Sequence, residues 1–222
     1  NLTAGAAGSI ENSGLVEVEN DISNSSGTSL FVNNLPGTVE LIGNNQIIGG
    51  LDSITFYNLS LLGNTGSTKS LNVNIGVLNN LDIDNQELQL HQNIATITNS
   101  NINAIIFMNG FVSGDSLGGY LVRTTNQTGS YVFPVGSSNL TPELRPVILD
   151  PSSSSLSSFG VRLSPIGGDF DNTGTSLSGA IGPFDASSKE VELGEVNSSF
   201  YHNIIPFIGT APVGIKVLYS SF

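Results

Sequence analysis

Short β-branched runs that end on Asn or Gly recur along the first half of this chain, and this rhythm constrains its fold most. Leu71-Asn72-Val73-Asn74-Ile75-Gly76 is one instance. Runs of this kind predict strands over 15–18, 29–32, 39–42, 54–62, 71–78, 81–83, 88–90, 95–98 and 104–108. Between them stand Asn33-Asn34, Gly43-Asn44-Asn45, Gly63-Asn64, Asn79-Asn80 and Asn99-Ser100-Asn101. No window carries helical spacing behind a capping box. The strand groups return at roughly 17–22 residues, near the short end of solenoid repeats. A parallel β-helix accounts for this: Val, Ile and Leu point inward, while Asn at the corners tolerates left-handed backbone and stacks in ladders. An ordinary sandwich with irregular loops is the plainer alternative, since the repeat has no strict consensus.

The texture changes near the middle. Of 25 Asn, 20 precede Phe111, and of nine Pro, eight follow it. Strands 119–123, 129–134, 146–149, 159–163 and 214–219 alternate inward and outward positions between Pro- and Gly-containing turns such as Phe133-Pro134-Val135-Gly136. This is the pattern of an antiparallel sandwich. The expected fold is therefore all-β, a short parallel β-helix at 1–112 followed by an antiparallel β-sandwich at 113–222. Residues 152–158 form a Ser-rich loop, and 167–189 is an excursion without clear strand signals.

Six Lys and Arg stand against 18 Asp and Glu, a net charge of −12. The first 110 residues hold nine acids and a single base, Lys69. Such a chain is repelled by phosphate backbones and anionic lipid surfaces, so neither nucleic acid nor a membrane is an expected partner. Only 11% of residues are charged, and Asn, Ser, Thr and Gly supply the polarity. That balance fits an extracellular protein better than a cytosolic enzyme. With no Cys, disulfides and thiolate metal sites are excluded, and no apolar run reaches the length of a membrane span.

Constellations for chemistry are sparse. His91 and His202 lack a His-x-x-x-His spacing or a Gly-x-Ser-x-Gly elbow, and His202 reads as structural beside a buried Tyr201. Asp169-Phe170-Asp171-Asn172-Thr173-Gly174 looks like the opening of a calcium loop, but Ala180 stands where the closing Glu belongs, so a simple turn is the preferred reading. Asp82-Ile83-Asp84-Asn85-Gln86-Glu87 reads as an acidic corner. Phe56-Tyr57 and the Tyr131, Phe133 pair read as core and rim of strands. Six Asn-x-Ser/Thr sequons carry little weight in a chain so rich in these residues. No cofactor, metal or catalytic residue is expected.

Several motifs occur in a fixed order: Gly8-x-Ile10-x-Asn12-x-Gly14, then Phe56-Tyr57-Asn58-Leu59-Ser60-Leu61 with Lys69. Gly119-Tyr120-Leu121-Val122-Arg123, Phe133-Pro134-Val135-Gly136 and Arg145-Pro146-Val147 follow, and then Glu195-Val196-Asn197 with Phe200-Tyr201-His202. In this order they resemble surface proteins of Bacteroidota bacteria exported by type IX secretion, a broad group that includes gliding-motility adhesins. The resemblance implies a secreted or outer-surface, non-catalytic structural and adhesive module, whose partners are other adhesin segments, copies of itself or carbohydrate surfaces. It also implies O-glycosylation at Asp-Ser/Thr followed by an apolar residue, which here selects Ser53 in Asp52-Ser53-Ile54 and Ser116 in Asp115-Ser116-Leu117. The chain starts at Asn1 and stops at Phe222 without the C-terminal secretion domain of such proteins, so a fragment or a processed form is expected. Two other functions compete. One is a self-assembling filament subunit, with 1–10 or 213–219 as donor strand. The other is a β-helical polysaccharide-degrading enzyme, disfavoured because one base before residue 111 neutralises little of an anionic substrate.

Overall fold

A computed structural model describes residues 1–5, 8–32, 36–114, 118–141, 143–164, 200–209 and 212–218, and among these there is no helix. After β1 (Leu2–Ala4), the chain winds in a repeated order through three faces. The first coil contains β2 (Leu15–Val18) and β3 (Ile22–Asn24) and closes where Phe31 bridges Ile10. The second holds β4 (Thr38–Leu41), β5 (Gln46–Gly50) and β6 (Ile54–Phe56). The third holds β7 (Asn58–Leu61), β8 (Thr68–Leu71) and β9 (Ile75–Val77), and the fourth β10 (Leu81–Asp84), β11 (Glu87–Gln89) and β12 (Ile94–Ile97). β13 (Ile105–Phe107), β14 (Phe111–Ser113) and β15 (Tyr120–Thr125) make the fifth. The result is a parallel β-solenoid of about 5 turns.

Three parallel stacks result. The first face runs β2-β4-β7-β10-β13, the second β1-β3-β5-β8-β11-β14, and the third β6-β9-β12-β15. The pleat and a register that shifts on the first face only after Asp82, between β10 and β13, put like residues above like. Val39, Leu59, Leu81 and Ile105 form one inward row, and Ile54, Ile75, Ala95 and Leu121 another, all buried. Each fully buried Leu or Ile contributes roughly 1.5–3 kcal/mol, and a one-residue slip would turn a whole row to solvent. The intervening residues Glu17, Glu40, Ser60, Asp82 and Ile106 make an outward row on the first face.

The corners are held by amides. Asn79 Nδ2 donates to Asn58 Oδ1 at 2.8 Å and Asn99 Nδ2 to Asn79 Oδ1 at 3.0 Å, one rung per coil. A second ladder joins Asn109 Nδ2 to Asn85 Oδ1 at 2.9 Å. The expected stacking of Asn is thus present. The expected left-handed Asn is not: the described non-Gly residues with positive φ are Asp84 (48°) and His91 (53°). Gly50 shows why Gly takes other corners, since φ is 121° and a Cβ there would lie 2.0 Å from the Asn24 carbonyl oxygen.

Five more strands follow: β16 (Tyr131–Phe133), β17 (Val147–Pro151), β18 (Ser157–Ser164), β19 (Tyr201–Ile208) and β20 (Val213–Val217). β18 pairs antiparallel with β15 and β19 with β18, so the third face continues in the opposite sense. β16, β17 and β20 form a separate antiparallel sheet. Residues 112 and 113 fall inside β14, and one buried apolar cluster extends from Val18 through Phe133 to Phe200.

Several expected strands are redrawn. The run 54–62 is two strands broken at Tyr57, and 71–78 contains the end of β8 and the whole of β9, because each coil turns a corner there. In 29–32 a single bridge at Phe31 stands where a strand was expected. Strand 119–123 is not purely antiparallel, since β15 also pairs parallel with β12.

Candidate functional site

The corner between β5 and β6 forms a shallow polar groove of about 220 Å³, lined by Gly27, Thr28, Ser29, Asp52, Ser53 and Thr55. Asn24, fully buried, builds both walls. Its Nδ2 donates to the carbonyls of Thr28 (2.9 Å) and Ser53 (3.0 Å), while its Oδ1 accepts from Ser26 Oγ at 2.7 Å. Asp52 Oδ2 accepts the Gly27 N–H at 2.8 Å, which ties the two loops across the opening. Ser53 is exposed at the rim, where an attached group would meet solvent. Four hydroxyls and a carboxylate suit a neutral, hydroxylated ligand, and no base lines the groove. Ser116, the other expected glycan position, lies outside the described residues, as do 167–189 and the turn at 169–174.

The remaining candidate residues are dispersed. His91 stands in the turn after β11, two coils beyond the groove, and His202 on β19. His202 Nε2 lies 2.9 Å from the Arg145 carbonyl oxygen, and its ring meets Phe200 edge-on at 5.9 Å. Its buried aromatic neighbour is Phe200; Tyr201 is only half-buried. Burial holds the His202 pKa below the usual imidazole value. In the acidic corner Asp82 Oδ1 accepts the Asp84 N–H at 3.1 Å. Burial, with repulsion from Asp84, raises the Asp82 pKa against the lowering effect of that bond. Among the described residues no group of three or more His, Asp and Glu could hold a metal ion.

Two buried cations carry more of the structure than the sequence reading foresaw. Lys69 is fully buried where the first face turns into the second; its Nζ donates to Gln46 Oε1 at 2.9 Å and to the Gly43 carbonyl. Gln46 Nε2 in turn donates to the carbonyls of Val18 (2.9 Å) and Asn20 (2.6 Å), so one polar column links the first three coils. Burial pulls the Lys69 pKa down to about 8. Arg123 follows Phe56, Val77 and Ile97 in an inward row. Its guanidinium donates to the carbonyls of Val132 (2.7 Å), Asn101 (3.0 Å) and Ile102 (3.0 Å) and stacks on Tyr131 at 5.1 Å. Burial lowers its pKa to about 10. Tyr131 and Phe133 are both core, and Tyr57 is the rim residue of the Phe56-Tyr57 pair. The sequence signal for Lys69 was its isolation as the single base in the first 110 residues.

No protein-family model, curated protein or solved structure matches the chain.

Proposed function

We propose that this chain is a non-catalytic structural and adhesive module of a secreted or cell-surface bacterial protein. The observation that supports this reading is the unbroken stacking of the coils. Apolar rows and Asn ladders make a solenoid whose outward residues recur at strand spacing, as in the row Glu17, Glu40, Ser60, Asp82 and Ile106. A surface of this kind favours extended, multivalent contact over the conversion of one small substrate. The antiparallel strands β15-β18-β19 and the sheet β16-β17-β20 are read as two layers of a sandwich-like cap on the solenoid. The type IX secretion resemblance supplies the cell-surface setting.

Binding of the immobilised chain to a panel of polysaccharides and to abiotic surfaces tests the reading. Saturable adhesion without turnover is expected. Hydrolysis or elimination of any panel member, abolished by His91→Ala or His202→Ala, would overturn it. The proposed glycans on Ser53 and Ser116 are tested separately by peptide mass spectrometry of protein from its native host. Hexose-type additions at both are expected, and unmodified, well-covered peptides reject the assignment.

A further inference from the structure

Two neighbouring corners of the solenoid differ in length. Between β3 and the bridge at Phe31 the first coil turns through residues 25–30, whereas between β5 and β6 the second turns through 51–53 only. The longer corner stands clear of the coil at Gly27, where φ is 72° and a Cβ would meet nothing within 4 Å. Asp52 reaches it through the Gly27 N–H, and the groove of about 220 Å³ lies between the two corners. Its polar groups are not equally engaged. Ser29 Oγ donates to the Phe31 carbonyl at 2.7 Å, and Thr28 Oγ1 lies 3.1 Å from Ser26 Oγ. The Ser53 and Thr55 hydroxyls and Asp52 Oδ1 bond to no other group among the described residues.

We propose that this groove holds one neutral sugar residue, its hydroxyls donating to Asp52 Oδ1 and exchanging hydrogen bonds with Ser53 and Thr55. The inference rests on the adhesive reading and gives it a site. Adjacent sugar hydroxyls donate and accept at once, and a carboxylate oxygen beside two hydroxyls answers both roles. The volume lies below the roughly 300–1,000 Å³ of drug-sized pockets, which suits one ring. Asn24 is the positioning residue. Its amide holds the Thr28 and Ser53 carbonyls on the two corners, so the walls are set before a ligand arrives. Charge then selects among sugars. Asp52 is the charged residue of the lining and no base stands beside it, so a uronate, sulfate or phosphate is repelled. No aromatic ring lines the groove, and about a dozen heavy atoms held by hydrogen bonds give a roughly millimolar dissociation constant. Ser53 sits at the rim, so the sugar can come from a separate polysaccharide or from a glycan on Ser53 itself.

The test follows amide shifts of the full chain by NMR, using protein made without glycans and the methyl glycosides of glucose, galactose and mannose. Methyl glucuronide and glycerol are the controls. Saturable shifts at Gly27, Thr28, Asp52 and Ser53 with a neutral glycoside are expected, and neither control should match them. Ser53→Ala combined with Thr55→Val removes both hydroxyls; it should keep the melting temperature and weaken binding about tenfold. Asp52→Asn retains an oxygen for the Gly27 N–H and removes the charge, so it should narrow the preference for glucoside over glucuronide. Native-host protein with a hexose on Ser53 should take up no added glycoside if that hexose fills the groove, and should bind like the unmodified chain if the sugar comes from outside. Failure of all three glycosides to bind, equal binding by the folded double variant, or a wild-type preference for glucuronide would each overturn the proposal. If polysaccharides of the panel still adhere in those cases, the adhesive reading stands without this site. If none adheres, both fall.

Discussion

Asn79 is the middle rung of a three-residue amide column and is bonded from both sides, to Asn58 and to Asn99. Removing its amide takes the acceptor from Asn99 Nδ2 and the shorter of two donors from Asn58 Oδ1, which also accepts the Asn80 N–H. Asn79→Ala should therefore cost about 1–2 kcal/mol in urea unfolding, and Asn99→Ala a similar amount, because it loses both the bond to Asn79 and the Asn101 N–H that its Oδ1 accepts. Lys69 makes a different claim, about protons. Its folded pKa of about 8 lies below the ordinary lysine value of 10.5, so between these values the unfolded chain binds more protons than the folded one. Stability should climb as pH rises from about 8 toward 10.5, and the gain should vanish as pH falls back through 8. Urea midpoints across that range, compared with Lys69→Met, isolate the effect, since other titrating groups are common to both proteins. A slope that persists in Lys69→Met would place its origin elsewhere.

At the scale of elements, the solenoid needs a lid where parallel stacking ends, and β16 provides it through Arg123. The guanidinium occupies the inward position that Phe56, Val77 and Ile97 hold below it, and it donates to the carbonyls of Val132, Asn101 and Ile102 at the end of the stack. Arg123→Ala should cost about 3–5 kcal/mol, by opening a cavity and removing three hydrogen bonds to carbonyls. Arg123→Lys should fall between, since an ammonium cannot span all three. Amide exchange should show protection lost first in β16 and over 100–102. The sequence made the strands of the first face legible, because runs such as Leu81-Asp82-Ile83 alternate cleanly. It hid most of the second face, the expected strand at 88–90 (β11) apart: Gln46-Ile47-Ile48-Gly49-Gly50 and Thr68-Lys69-Ser70-Leu71 put polar groups at inward positions, where carbonyls of neighbouring coils make them acceptable. It also hid β19, where Asn203 and Pro206 interrupt the apolar run, and gave no sign that β15 would pair both ways. The groove was half legible. Ser53 was singled out by its local motif, whereas the opposite wall at 27–29 reaches it only by coiling, through Asn24.

For the whole molecule, the account rests on one continuous parallel solenoid with in-register coils. Each neighbouring pair of strands on the first face sets the same step, so distance along the axis follows directly from strand count. The chain has no Cys, so two introduced thiols can carry spin labels without background. Glu17 and Ile106 lie in one outward row, at the first and last strands of that face. Pulsed electron–electron distance measurement on the Glu17→Cys, Ile106→Cys double variant should give a single narrow peak near four strand spacings, about 19 Å. A peak beyond about 30 Å, or a broad distribution, would contradict the solenoid.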